Sequence, residues 1–345
     1  MNYLFLIKKE FENMTNLKLP SDKPEQLLVK SNDISDEKYG KAPEERSIKE
    51  LLQFGVINLD KPSGPSSHEV VSWVRKILNI SLAGHGGTLD PNVTGILPCA
   101  IGKATRVLSA LLSAGKEYVC VMYLHSLENP KKIEKVINLF VGKIYQTPPL
   151  KSSVLRKLRI REIYYNDILE IKNQHVLFKV GCEAGTYIRK LCYDIGEVLC
   201  SGANMLELRR TRVGNFKEDN TLITLQNLKD AWDIYQEELD DSYLRKIILP
   251  MERMVSHLPK VYVRDTAVDA LCHGADLAAS GICFIDARIN SGDLVALMTL
   301  KKELIGFGQS MFSAIKIYKA NNGIMIKLKK VFMDRGIYPH WSDKK

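Results

Sequence analysis

Near Leu258 the spacing of apolar residues changes character, and that change limits what this chain can fold into. Upstream, strand-like and helical spacings alternate. Phe54 to Leu59 reads as a strand, and Ser66 with Glu69 makes a capping box ahead of a helix whose apolar residues Val70, Val71, Trp73, Val74, Ile77 and Leu78 recur at helical spacing. Tyr118 to Leu124 and the alternating Val176, Phe178, Val180 and Cys182 read as strands, Ile133 to Val141 and Ile188 to Leu199 as helices. Downstream, Val261 to Val263, Leu294 to Leu300, Leu304 to Phe307 and Ile324 to Leu328 are short β-rich runs separated by glycine turns. The expected class is α+β followed by a small β-barrel. A chain of 345 residues exceeds what one core usually organises, which fits two domains, residues 51–257 and 258–339, with a tail at 340–345. Residues 1–50 are polar and carry Asp33, Asp36, Glu37, Glu44 and Glu45, so they read as an irregular extension or wrapping arm, with the barrel as a place to pack.

Charge narrows the partners. Lys and Arg number 49 against 40 Asp and Glu, and the net charge of +9 favours a polyanion such as nucleic acid. The seven cysteines, Cys99, Cys120, Cys182, Cys192, Cys200, Cys272 and Cys283, are odd in number and contain no C-x-x-C pair. That argues against a disulfide framework and a zinc site; they read as small reduced core residues. Met1 to Ile7 is apolar but meets Lys8 and Lys9 too soon for a signal or a membrane span, so an intracellular soluble protein is expected.

Residues 84–98 read GHGGTLDPNVTGILP, with one carboxylate, Asp90, between glycines and a proline. Gly84, Gly86 and Gly87 let the backbone pass close to another chain or a ligand, and Pro91 confines Asp90 to extended or turn geometry. No Gly-Lys-Ser/Thr and no G-x-G-x-x-G accompanies the stretch, which sets nucleotide binding aside. Taken alone, an Asp-Pro turn is structural far more often than catalytic. Three other segments change its weight: Ala114-Gly115-Lys116-Glu117-Tyr118-Val119, Gly185-Thr186-Tyr187-Ile188-Arg189 and Leu206-Glu207-Leu208-Arg209-Arg210-Thr211-Arg212. Together these resemble the pseudouridine synthases of the TruB and dyskerin family, which turn uridine in RNA into its carbon-linked isomer. Phe54 to Gly64 resembles the family's first motif, Gly84 to Gly95 its aspartate loop, Lys116 to Val119 its tyrosine motif and Gly185 to Arg189 its arginine motif. Val261 to Pro339 resembles a PUA domain, a small RNA-binding β-barrel.

The resemblance implies a catalytic domain built on a mixed, mainly antiparallel sheet, with Asp90 the nucleophile, attacking either ribose or pyrimidine. It makes Arg189 the counter-charge that keeps the carboxylate ionised, and Tyr118 the ring that packs on the target base and helps move a proton. Tyr187 and Leu208 match positions lining the pocket, and His85 matches a histidine that helps displace the nucleotide, since a uridine in structured RNA must be flipped out to be reached. Without the family, Arg189 reads as a surface arginine, Tyr118 as a buried strand tyrosine and His85 as a turn histidine. Lys151, Arg156, Lys157, Arg159 and Arg161 resemble the family's loop that closes over RNA, and read alone they are equally a solvated charge run. Arg209, Arg210 and Arg212 form a second basic group suited to phosphate contacts. Neither metal nor cofactor is implied. Within the family the phrasing is closest to archaeal dyskerin-type proteins. This implies the catalytic subunit of an H/ACA particle acting on ribosomal or transfer RNA, with guide RNA, substrate RNA and small accessory proteins as partners and a cytoplasmic location, or a nucleolar one in a eukaryote. The alternatives are a stand-alone enzyme for the T-loop of transfer RNA and a non-catalytic RNA-binding scaffold.

Overall fold

Two serine capping boxes start the patterned part of the chain. Ser47 with Glu50 caps the helix Ile48–Phe54, and Ser66 with Glu69 caps Ser67–Ile77. The first helix corrects the expectation of a strand from Phe54: that residue ends the helix, and the strand is Gly55–Lys61. In the second helix Val70, Val71 and Val74 are buried, whereas Trp73 is 40% exposed. It sits about a third of a turn away from the middle of the buried stripe.

The computed structural model of the protein describes residues 18–148, 155 and 157–340. Ten of its strands form one sheet. Eight run in the order Ile248–Pro250, Gly55–Lys61, Thr94–Ile101, Ala203–Val213, Lys116–Leu124, His175–Cys182, Arg159–Lys172 and Gly142–Gln146. Ala83–His85 pairs with Thr94–Ile101, and Phe216–Lys217 with Ala203–Val213. Seven strands form the second sheet, in the order Leu27–Val29, Ile282–Asp286, Lys260–Val263, Leu294–Thr299, Leu304–Ser310, Ile324–Val331 and Leu277–Ala278. Within the first sheet Thr94–Ile101 runs parallel to Ala203–Val213, and within the second Lys260–Val263 runs parallel to Leu294–Thr299. The remaining strand pairs are antiparallel, so the sheets are mixed and mainly antiparallel, as the resemblance implies.

The two sheets are joined by a common core. Val56 and Ile96 of the first, with Val107 and Leu111 from the helical turns that follow Ile101, pack in one cluster with Met298, Leu304 and Phe307 of the second and Phe332 just past its strand Ile324–Val331. The N-terminal arm straps both. Leu19 is fully buried, Asp22 accepts from Arg212 Nη1 at 2.9 Å, and Leu27–Val29 adds an edge strand to the second sheet, opposite Phe284 to Asp286. Arg264 meets Asp33 at 3.1 Å and Lys260 meets Glu25 at 3.4 Å. Six of the cysteines are buried; Cys200 is exposed at the left-handed end of the helix Ile188–Leu199 and is not a core residue. Among the described residues no helix is long and apolar enough to cross a membrane.

Candidate active site

The Asp90 loop is held by residues that sit far from it in sequence. Ala83–His85 pairs back on Thr94–Ile101, with His85 opposite Cys99, so the chain between them must reverse through the Gly86–Val93 stretch. Lys61, fully buried, donates from Nζ to the carbonyls of Pro62 at 2.7 Å, Pro91 at 2.7 Å and Val93 at 2.9 Å. Ser67 Oγ accepts from the Leu89 amide at 2.9 Å and lies 3.1 Å from the Leu89 carbonyl, and Gly64 N–H donates to Pro91 at 3.0 Å. Every strong group flanking Asp90 is thereby satisfied inside the protein, and the aspartate side chain is left outward. Gly95 completes the turn at φ 101°, where a Cβ would collide with the Arg210 main chain.

Arg189 reaches this carboxylate from the first turn of Ile188–Leu199, its Nη2 2.7 Å from Asp90 Oδ2. The pair expected from the two motifs is formed. Both side chains are more than half exposed, so the ion pair faces solvent. Gln146 fixes the start of that helix: its Oε1 accepts from the Tyr187 amide at 3.0 Å and its Nε2 donates to the Tyr187 carbonyl at 3.1 Å. Tyr118 is 9% exposed on Lys116–Leu124, in one apolar cluster with Leu89 and Val93, and Leu208 packs against that cluster from the neighbouring strand. Burial pushes the Tyr118 hydroxyl pKa up, against the pull of Arg210. His85 stands edge-on to His68 with ring centres 5.0 Å apart; burial, with His68 and Arg210 nearby, lowers its pKa to about 4. Asp90, Arg189, Tyr118, Leu208 and His85 thus gather around one loop.

The basic residues divide differently from the expectation. Arg210 is buried, its Nε donating to Ile96 O at 2.8 Å and its Nη2 to Gly87 O at 3.0 Å, so it is not a phosphate ligand. Arg209 is held by Asp60 through bonds of 3.0 and 2.9 Å and by Glu218 at 2.6 Å, and Arg212 by Asp22. That group is consumed internally. Arg159 and Arg161 open the strand Arg159–Lys172 instead of lying in a loop, with Arg161 3.5 Å from Glu183; Lys157 precedes the strand and is exposed. Lys151 and Arg156 lie outside the described residues. The sequence reading missed two buried lysines. Lys61 closes the strand Gly55–Lys61, and Lys116 donates to the carbonyls of Leu111, Leu112 and Ala114 at 2.8–3.1 Å, with burial pulling its pKa down to about 8. Among the described residues no group of three His, Cys, Asp or Glu is placed to hold a metal ion.

Family models match along the chain. The DKCLD domain matches residues 15–71, the N-terminal domain of the TruB family of pseudouridylate synthases 75–131, the C-terminal domain of tRNA pseudouridylate synthase B 189–256 and the PUA domain 259–332. The chain is 52% identical over 322 residues to the probable tRNA pseudouridine synthase B of Methanopyrus kandleri, covering 93% of this chain and 95% of that one. With the protein of the same name from Pyrococcus furiosus it shares 53% over 328 residues, covering 95% and 96%. Fold and site together place the protein among the RNA pseudouridine synthases. The chain belongs to the TruB/dyskerin family. It is similar to a chain of the crystal structure of a Cbf5-Nop10-Gar1 complex, with a TM-score of 0.90 and 53% identity over 93% of this chain and 98% of that one. A chain in a structure of an H/ACA RNP bound to a substrate RNA containing 2'-deoxyuridine gives 0.88 and 51%, over 94% and 99%.

Proposed function

We propose that this protein is the catalytic subunit of a guide-directed H/ACA particle, with Asp90 as its nucleophile. The observation that carries the chemistry is the 2.7 Å pair between Arg189 and Asp90 on a loop pinned from behind. In the reaction the bond from ribose C1′ to N1 breaks, the base turns, and a bond from C1′ to C5 forms; C5 gives up a proton and N1 gains one. Asp90 attacks ribose or ring, Arg189 keeps the carboxylate ionised as RNA closes over it, and Tyr118 packs on the base and takes part in moving the C5 proton. Tyr187 and Leu208 line the pocket and His85 helps displace the nucleotide. Exposed Lys157 with Lys151 and Arg156 supplies phosphate contacts, alongside Arg159 and Arg161. Asp90→Asn is nearly isosteric and is expected to abolish tritium release from uridine-labelled RNA while leaving RNA affinity in place. Retained turnover would remove the assignment.

Guidance is supported by the likeness to the chain in the H/ACA RNP structure. The chemistry would then be aimed by base pairing, with the barrel clamping one end of the guide and accessory proteins completing the particle, in the cytoplasm as for the archaeal type. Residues 1–50 are the arm, 51–257 the catalytic domain and 258–339 the barrel. A second reading is favoured by the name of the curated relatives, tRNA pseudouridine synthase B. Rates with and without guide RNA, at one salt concentration, separate the two. Retargeting when the guide's pairing segments are changed supports guidance; efficient modification of the transfer RNA T-loop by the protein alone, unaffected by guide, supports the second reading.

A further inference from the structure

Two arginines are buried among the described residues, and their surroundings differ. Arg46 meets the carboxylate of Glu252 through two bonds of 2.8 Å. Arg210 donates instead to two main-chain carbonyls, Ile96 O and Gly87 O, and is the cross-strand neighbour of Tyr118. A guanidinium held away from water on dipoles alone is a poor stabiliser and a strong local source of positive potential.

The sheet aims that potential. Tyr118 and Arg210 are cross-strand partners, and a bulge between Glu117 and Tyr118 turns the tyrosine within its strand. Gly95, the parallel partner of Arg210, lets the two main chains approach where a Cβ would strike the Arg210 carbonyl, and at Gly87 the missing Cβ faces the Arg210 guanidinium. Gly87, whose carbonyl Arg210 holds, lies three residues ahead of Asp90 in that loop. One guanidinium therefore touches both the loop that carries the nucleophile and the ring that meets the base.

We propose that Arg210 is a positioning residue of the isomerisation, acting through Tyr118: it fixes the phenol oxygen against the Asp90 loop and stabilises negative charge there. This rests on the roles given above to Asp90 and Tyr118. Once C5 carries both its hydrogen and the new bond to C1′, the hydrogen leaves as a proton. The C5–H electron pair closes the C5–C6 double bond, the N1=C6 π pair moves to N1, the Tyr118 phenolate takes the proton from C5, N1 takes one from water, and the phenol then returns its proton to the hydroxide left behind. The ionisable groups facing Tyr118 are Arg210, Cys182 and Asp90. Those facing Arg210 are Tyr118 and Cys99, with Lys61, Lys116 and His85 close enough to feel its charge.

The test is a pH profile of single-turnover rate and an RNA-binding measurement on Arg210→Gln and Arg210→Lys, beside Tyr118→Phe. Arg210→Gln is expected to lower the rate on the order of a hundredfold with RNA affinity unchanged. Its rising limb should move about one to three pH units upward, because the cation that favours the phenolate is gone. Arg210→Lys should recover part of the rate and move the limb less; the fold already buries Lys61 and Lys116 on three carbonyls each. A slower Arg210→Gln with an unmoved limb overturns the proposal. Should that variant not melt cooperatively, Arg210→Lys decides, with an unmoved limb again overturning it. If Tyr118→Phe keeps the full rate, the fault lies with the tyrosine's own role; if Tyr118→Phe is inactive and the Arg210 limb stays put, only Arg210's role falls.

Discussion

Replacing Lys61 by methionine tests how the Asp90 loop is held. Methionine retains most of the apolar stem and deletes the three donors that bind Pro62, Pro91 and Val93. Hydrogen bonds to a charged group contribute roughly 1.5–3 kcal/mol each, so the three amount to about 4.5–9 kcal/mol gross. Against them stands the cost of keeping an ammonium out of water, several kcal/mol per ion, the same desolvation that lowers the Lys61 pKa. The variant avoids that cost but leaves three carbonyls facing a thioether. The balance is a loss of about 2–4 kcal/mol, or a fall in melting temperature of about 3–6 °C for a chain of 345 residues. Guanidinium unfolding measures the first figure, a thermal melt the second. Single-turnover tritium release should also fall by more than RNA affinity does, because the displaced element is the loop carrying Asp90. An unchanged melt with a normal rate would show that Gly64 and Ser67 hold the loop unaided, and the reasoning would fail.

Arg189→Ala should cut turnover strongly at neutral pH while changing unfolding free energy by less than about 1 kcal/mol, since the ion pair is open to solvent; a large stability loss with normal turnover would contradict it. His257 donates from Nε2 to Ala110 O at 3.1 Å while its buried Nδ1 has no partner, and burial lowers its pKa to about 4. The unfolded ring binds its proton near 6.5, so stability present above that pH is lost as pH falls toward 4, at up to about 1.4 kcal/mol per unit. A His257→Phe protein should show a flatter melt-versus-pH curve over that window, and an identical slope refutes the assignment. Deleting residues 261–345 strips Met298, Leu304, Phe307 and Phe332 from the shared core, so the remainder should lose its cooperative melt; a sharp melt would mean the catalytic sheet stands alone.

What the sequence made legible is what local chemistry controls. The capping box at Ser66 and the period of Val70, Val71 and Val74 place a helix without help from the rest of the chain, and Ile188 to Leu199 emerges with the bounds its spacing gives. The Asp90 and Arg189 pair followed from family motifs. Ser47 and Glu50 spell the same capping signature as Ser66 and Glu69 and start the helix that Phe54 ends. Arg210 could not be sorted from Arg209 and Arg212 by type or spacing, because strand alternation turns neighbours to opposite faces and burial depends on Ile96 and Gly87, more than a hundred residues upstream. Lys61 was hidden for the same reason: its three acceptors are main-chain carbonyls, which leave no trace in side-chain pattern.

The edge strand Leu27–Val29 has a consequence for how the protein is made. Its hydrogen-bonding partner is Phe284 to Asp286, so the arm leaves the ribosome about 250 residues before the segment it must join. At roughly 5–20 residues per second, that is an interval of about 12–50 s in which three apolar residues and their unpaired backbone wait in solution. Asp33, Asp36, Glu37, Glu44 and Glu45 follow closely and bind no strand in the meantime, which keeps the waiting segment hydrated and disfavours pairing with other chains. Pairing of Leu27–Val29 thus waits on the synthesis of Phe284 to Asp286, and a nascent chain stalled before residue 284 carries that strand unpaired even where Asp22 already meets Arg212.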